Sequence, residues 1–576
     1  MTLYHKWTVM LLLLVFALPV AAEKPNPPDD AVKELGEIAV MHGGRIKPLD
    51  SFARESVRAV TKEHRWDGRA PMETVLHWIA LPESAFVEPM IPIDFEPLRE
   101  VLALPAGRKY FSYKELVQEY REPLSMLYQE ASHADARDEK LTKVQSKAVE
   151  LFNSLGVMEG IMSTNRLTLI PPGAAQTDRL PEEIRMQSAG GWLPLRVLDQ
   201  DSSEIAAKLR VAWAGLIRTY RGERWDLFRS AVDEMREGFA VMQFRQVDRD
   251  KLHAEVLYNR ADPYLWAKIF YIAAFVVLVF NTIVKRGWMQ HVARGSLIVG
   301  FLFHTAALGL RWYISGRAPW SNMYESLTTV AWGVLLFSLV PWKGIGSKII
   351  LPAGAAIGFL SLLISTHVAL DPAINPLVPA LQSIWLNIHV IVILLGYSSA
   401  TLAMGVGHVW IVQEWRDPRA LRKLAPMTQA INRLVMFTVM FLAIGIILGS
   451  VWAQSAWGRY WGWDPKETWA LLTMFFYLIL VHAGSTGWLK PKGLAVSTIF
   501  GFLLVLFTYY GVNYWLVGLH SYAGGDSRTV PPIMIAYVVA DLLFVGAYLF
   551  TTRNRSVRSR RGVKTEKAVE AGTAQG

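Results

Sequence analysis

The sequence is 576 residues long, 52% hydrophobic, 19% charged and 12% aromatic, with a formal net charge of +10. It holds 22 tryptophans and no cysteine, which excludes disulfides, thiolate catalysis and thioether attachment of a prosthetic group to this chain. The basic residues sit between apolar runs and in a C-terminal tail, not in one soluble patch, which argues against nucleic acid as a partner and for the inside loops of a membrane protein.

His5-Lys6 precedes an apolar run from Trp7 to Ala22 that closes on small residues before Glu23-Lys24. Residues 1–23 are therefore expected to be a signal peptide, or an uncleaved anchor, and the following segment to be exported. Residues 24–260 mix charged and apolar residues at helical spacing and predict a mainly helical soluble domain. Within it, Gly43-Gly44-Arg45-Ile46-Lys47-Pro48-Leu49-Asp50 predicts a turn leading into a helix. It reads either as a contact point for a partner or an acidic ligand edge, or as a structural turn with exposed basic residues, the reading we prefer.

From Tyr264 the sequence carries nine apolar segments: 264–284, 295–313, 326–342, 348–369, 384–412, 432–454, 469–487, 494–514 and 533–552. Each approaches the ~20 residues a membrane helix needs. Unpaired backbone groups are costly in hydrocarbon, so the expected class is an all-α polytopic membrane protein. An exported 24–260 domain sends the first span inward to Lys285-Arg286. The loops Lys343–Lys348, Arg416–Lys423 and Lys490–Lys492 and the tail 553–576 then also fall inside, and all are basic. The expected location is the inner (cytoplasmic) membrane, with the large domain on the periplasmic or outer side.

The remaining loops share the outer face, and one of them is dense in aromatics. From Trp452 to Trp469 there are five tryptophans and Tyr460, in a run reading Trp457-Gly458-Arg459-Tyr460-Trp461-Gly462-Trp463-Asp464-Pro465-Lys466-Glu467. An interfacial aromatic belt accounts for scattered tryptophans but not for this run. A shelf of rings at the water interface suits a large flat apolar ligand with a wet polar edge, such as a porphyrin. Its carboxylates would find Arg459 and Lys466 in the loop, with Arg311 and Arg317 on the same face. Asp464 and Glu467 read as an N-cap and a capping box around Pro465 more than as a general acid and base.

Without cysteine, ligation of a metal cofactor falls mainly to histidine. His389, just inside the outer end of its span, and His520, in the last outer loop, bracket the aromatic loop and could clamp a haem iron axially. His482 and His304 fall within spans, where ionisable residues are functional candidates by default. They could bind a second, deeper haem, or be hydrogen-bonded between helices. His367 and His408 read as interfacial.

Trp457 to Glu467 resembles the signature of the WWD superfamily of haem-handling proteins, and its Asp464-Pro465-Lys466-Glu467 ending resembles the CcsA (ResC) family of System II cytochrome c biogenesis. Arg311-Trp312, Ser315-Gly316-Arg317, Ser321-Asn322, Glu325-Ser326, Trp385 to His389 and Gly518-Leu519-His520-Ser521-Tyr522 are similar too, so the resemblance covers about 264–552. It implies non-covalent haem b, both ligand and substrate, presented with reduced iron to exported apocytochrome c as part of a holocytochrome c synthase, with haem export by the same chain a further expectation. It implies outer ligands at His389 and His520 and a transmembrane ligand at His482. The other transmembrane ligand would come from a CcsB (ResB)-like partner, with His304 the weaker alternative. It also implies a thiol-reducing, thioredoxin-like partner. The expected binding residues are His389, His520, His482, His304, Trp457, Arg459, Tyr460, Trp461, Trp463, Asp464 and Arg317. A haem-b electron-transfer subunit is the alternative, disfavoured because the histidines do not form two transmembrane pairs at matched depths.

Overall fold

A computed structural model describes residues 27–573 except 138, 140, 173–190, 200, 202, 244–246, 341–346, 368–370, 378–380, 517 and 521–531. The expected signal segment and Ser521-Tyr522, just after His520, lie outside the described residues. The chain divides into two compact units, 1–256 and 257–576.

The first unit is helical, with two small two-stranded antiparallel sheets among the described residues. Its helices bury one face each. Along Leu49–Thr61, the side chains of Leu49, Phe52, Ala53, Val57 and Val60 recur at helical spacing and are all buried. They join Trp78, Leu209, Phe228 and Phe239 in one core.

The predicted turn at Gly43-Gly44 is the tip of a hairpin in which strand β1 (Ala39–His42) pairs with strand β2 (Arg45–Pro48) and His42 faces Arg45. Both glycines have positive φ (60° and 78°), as the tightest two-residue hairpin turn demands. The expectation that its basic residues are exposed is wrong. Lys47 is 1% exposed and donates to Glu55 at 2.6 Å, and Arg45 grips Glu255 with two hydrogen bonds of 2.8 and 2.6 Å. Charges removed from water must be paired, and here every one is. The turn is built into the unit by ion pairs, which a linear reading of a basic motif does not reveal.

The second unit is a polytopic all-α membrane domain. Among the described residues its apolar helices are α1 (Pro263–Val284), α2 (Gly287–Ser315), α3 (Met323–Leu339), α4 (Ser347–His367), α5 (Ile384–Arg416), α6 (Ala425–Trp457), α7 (Pro465–Ser485), α8 (Pro491–Leu506) and α9 (Pro532–Thr573). Among the described residues, eight helices are long and apolar enough to cross a membrane, and α3, with 17 residues, is shorter. The sequence periods thus located the helices but not their ends. At 33 residues each, α5 and α6 are about 50 Å long, well beyond a ~30 Å hydrocarbon core.

α5 is the hub of this unit, packed against α3, α6 and α8. Its small residues Ser398, Ser399, Ala400, Ala403 and Gly407 are buried and let neighbouring backbones approach. α8 runs on through a π-helical turn at Phe507–Gly511 into Val512–Trp515. Such single-turn insertions re-aim side chains and are frequent at functional sites.

Candidate functional site

The aromatic loop is fixed at both ends by its own sequence. Gly458 ends α6 in the left-handed conformation. Asp464 caps α7 by accepting from Lys466 N at 2.9 Å, while Glu467 reaches back to Asp464 N (3.2 Å) and Gly462 N (2.8 Å). Arg459 closes the loop on Glu467 at 3.2 Å. Trp463 has a positive φ of 57°, a strained conformation for a bulky residue, and is 71% exposed.

Behind this loop lies a cavity whose empty space, counted together with its open mouth, is about 1180 Å³. Its lining on α5 runs from Leu386 to Tyr397, a depth of about 16 Å along the helix. His389 and His520 both line it, as do Trp452, Tyr460, Trp461 and Lys466.

Each of the two imidazoles is oriented through Nδ1. His389 Nδ1 lies 2.7 Å from the Gly445 carbonyl, which can only accept. His520 Nδ1 lies 2.8 Å from Asp464 Oδ1, and Leu519 N donates to the other oxygen of the same carboxylate at 2.6 Å. Both contacts select the tautomer with the proton on Nδ1, so the lone pair sits on Nε2. An imidazole held this way by a carbonyl or carboxylate is the usual state of a metal-ligating histidine. Burial by itself would raise the Asp464 carboxyl. The His520 contact and the amides of Lys466 and Leu519 outweigh it and hold that carboxyl down at about 2.

Trp452, 1% exposed, touches both imidazoles. Its ring stacks on His389 at 6.2 Å and meets His520 edge-on at 5.5 Å. Its indole N–H is buried without a hydrogen-bond partner among the described residues. Two oriented imidazoles and an unused donor, set in an aromatic wall, fit a flat metal-bearing ligand. Trp457 packs on His520 at 5.0 Å from behind.

These same residues carry the likeness to known proteins. The model of the Cytochrome C assembly protein family matches residues 320–520, the stretch that holds His389, the aromatic loop and His520. The CcsA cytochrome c biogenesis protein of Guillardia theta is 35% identical over 260 residues, covering 40% of this chain and 85% of that protein. The CcsA of Prochlorococcus marinus is 32% identical over 306 residues, covering 47% of this chain and 97% of that protein. The chain belongs to the CcsA family of cytochrome c biogenesis proteins. Protein NrfI of Wolinella succinogenes is 29% identical over 527 residues, covering 86% of this chain. This chain spans 55% of NrfI, so the similarity reaches into the first unit while leaving much of that relative unmatched.

For this CcsA-family chain the expected site residues separate into groups. His389, His520, Tyr460 and Trp461 line the cavity together. Trp457, Arg459 and Asp464 stand behind that wall, holding His520 and the loop, and Trp463 lies exposed beside it. Arg317 is drawn away, because Glu325 takes both it and Arg311 at 2.8 Å in a buried cluster. His482 is exposed on α7, with Nδ1 turned to the Leu478 carbonyl at 2.9 Å. His304 is fully buried against Tyr271, 3.1 Å away, and is not part of the cavity. His408 is no bare interfacial residue: it pairs with Asp541 at 3.1 Å.

The sequence held Asp464 as a helix cap and an expected binding residue but did not show that its carboxylate also sets His520. Tyr509 and Asn513, which line the cavity beside Lys466, sit in a run with no motif of its own and are presented there by the π-helical turn.

Proposed function

We propose that this chain binds haem b in the cavity behind the aromatic loop, with His389 and His520 as axial ligands through Nε2, and presents it for covalent attachment to apocytochrome c. The observation that carries this reading is the matched preparation of two imidazoles, each with Nδ1 committed to an acceptor, on one aromatic-lined cavity. In the reaction, each cysteine thiol of the apoprotein adds across a haem vinyl group. A carbon–sulfur bond forms, the proton goes to the neighbouring carbon, and no net oxidation occurs. The chain's part is orientation, which supplies much of the rate in such an addition. This makes it a component of a holocytochrome c synthase.

In this reading the cavity opens on the periplasmic side of the inner membrane, residues 1–23 direct export of the 24–260 domain, and the basic loops remain inside. Haem would reach the cavity by export through this chain and a CcsB (ResB)-like membrane partner. The exposed position of His482 on α7 suits a transmembrane ligand shared with that partner. A thioredoxin-like protein would keep the apocytochrome thiols reduced.

The test is a visible spectrum of the detergent-purified chain beside its His389→Ala, His520→Ala double variant. A reduced bis-histidine haem spectrum, extractable by acid-acetone and lost or weakened in the variant, is expected. An unchanged spectrum would move the haem away from this cavity.

A further inference from the structure

Lys466 follows the helix cap, and its half-buried side chain lines the cavity. Its ammonium donates to the Tyr509 carbonyl at 2.9 Å and to Asn513 Oδ1 at 3.2 Å, and it lies 5.0 Å from the Tyr509 ring. All three partners are neutral. The nearby carboxylates are committed elsewhere, Glu467 to Arg459 and Asp464 to His520. An ammonium has three donors, and two are used among the described residues. A half-buried cation whose partners are all neutral lacks a matching anion, and such groups are found paired or at functional sites.

From these contacts we infer that Lys466 is the anchor for one carboxylate of the bound porphyrin, taken inside the cavity and not left in water. This rests on the reading of the cavity as a haem site and adds an orientation to it. On protohaem the two propionates occupy one edge of the macrocycle and the vinyl groups lie toward the opposite side. A propionate held at Lys466, among Tyr509 and Asn513, turns the vinyl side toward the open mouth, where Tyr460 of the lining is 61% exposed. That is the side a thiol must reach. Arg459, the other cation of the loop, is neutralised by Glu467 and stands outside the lining.

The experiment titrates the full-length chain, freed of haem in detergent, with three ligands: haem, haem dimethyl ester, whose carboxylates are blocked, and mesohaem, whose vinyl groups are ethyl groups. Wild type is expected to bind haem and mesohaem alike and the dimethyl ester about tenfold or more weaker, the scale of one charge-assisted hydrogen bond. Lys466→Met is expected to bind haem and its ester within about threefold of each other, on the same scale. Equal binding of haem and ester by wild type would overturn the anchor while leaving the haem site standing, and so would undiminished discrimination in Lys466→Met. Discrimination against mesohaem greater than that against the ester would invert the orientation. Binding of none of the three by wild type would remove the haem site itself. The wild-type arms stand even if the variant does not fold.

Discussion

Asp464 and His520 stand 56 positions apart in sequence and meet at 2.8 Å. One carboxylate therefore starts α7, ties the loop that carries His520 through Leu519 N, and fixes the tautomer of an imidazole on the cavity wall. The signature of the aromatic loop and the histidine after α8 thus form a single device.

Asp464→Asn tests that device with little change of shape. Asparagine still caps a helix well, whereas alanine at such a position costs about 0.5–2 kcal/mol. What the amide loses is the charge facing His520, and loss of such a supporting partner weakens metal affinity about 10–100-fold. Haem titration followed in the visible spectrum should show a drop of that order, with helix content by circular dichroism kept and thermal stability at neutral pH lowered by the charge's contribution. Wild-type affinity in Asp464→Asn would mean that the carboxylate is a cap only.

The same contact sets an acid limit. The Asp464 carboxyl is held at about 2, below its ordinary 3.8. A depressed carboxylate contributes stability that is present above its ordinary range and lost as pH falls through the folded value. The Asp464–His520 link should therefore survive from neutral pH to about 4 and fail toward pH 2. Fluorescence of the loop tryptophans, compared between wild type and Asp464→Asn over that range, reads the link directly. A difference between the two that vanishes already near pH 5 would contradict it.

Gly449 gives a steric test on the other imidazole. A Cβ built there would lie 2.6 Å from His389 Cε1 and 2.9 Å from Nδ1, so the ring must move. In the interior of α6, alanine is the better helix former by about 1 kcal/mol, so the helix itself should not suffer. Gly449→Ala is expected to retain the fold by circular dichroism while losing most of the bis-histidine haem signal. A normal spectrum in this variant would show that His389 has room to ligate from another rotamer.

The sequence made the membrane helices legible because hydrocarbon imposes long apolar runs, and it made the aromatic loop legible because so many rings crowd a short stretch. Helix ends were less legible: α5 runs on over Gln413, Glu414 and Arg416, while α6 begins already at Ala425, where Pro426, Thr428 and Gln429 interrupt the apolar run although Met427, Ala430 and Ile431 are buried. Basic residues misled most. Lys47 and Arg317 look alike to exposed cations in a linear string, yet Glu55 and Glu325 draw them inward, and only the fold brings those partners close. The role of Lys466 is the reverse case: its place in the loop was evident, but not that its partners are neutral.

The cluster around Glu325 bears on the cavity from behind. Glu325 is 1% exposed and receives Arg311 and Arg317 at 2.8 Å each, together with Ser321 N at 2.9 Å. The two guanidinium groups go on to the carbonyls of Pro372 (2.9 Å) and Asn375 (3.1 Å), so one carboxylate braces two interhelical segments, and Ser321 and Trp320 beside it line the cavity. Glu325→Gln keeps the volume and leaves two buried or half-buried cations without their anion. Breaking a buried pair in this way costs about 3–5 kcal/mol, far more than the net worth of the pair itself. Arg317→Ala should be milder, because it still leaves Arg311 and Glu325 matched. Thermal unfolding in detergent, followed by helical circular dichroism, should rank wild type above Arg317→Ala and Arg317→Ala above Glu325→Gln. The reverse order would mean that the cluster is wetted and that its charges are screened, in which case it does not hold the wall of the site.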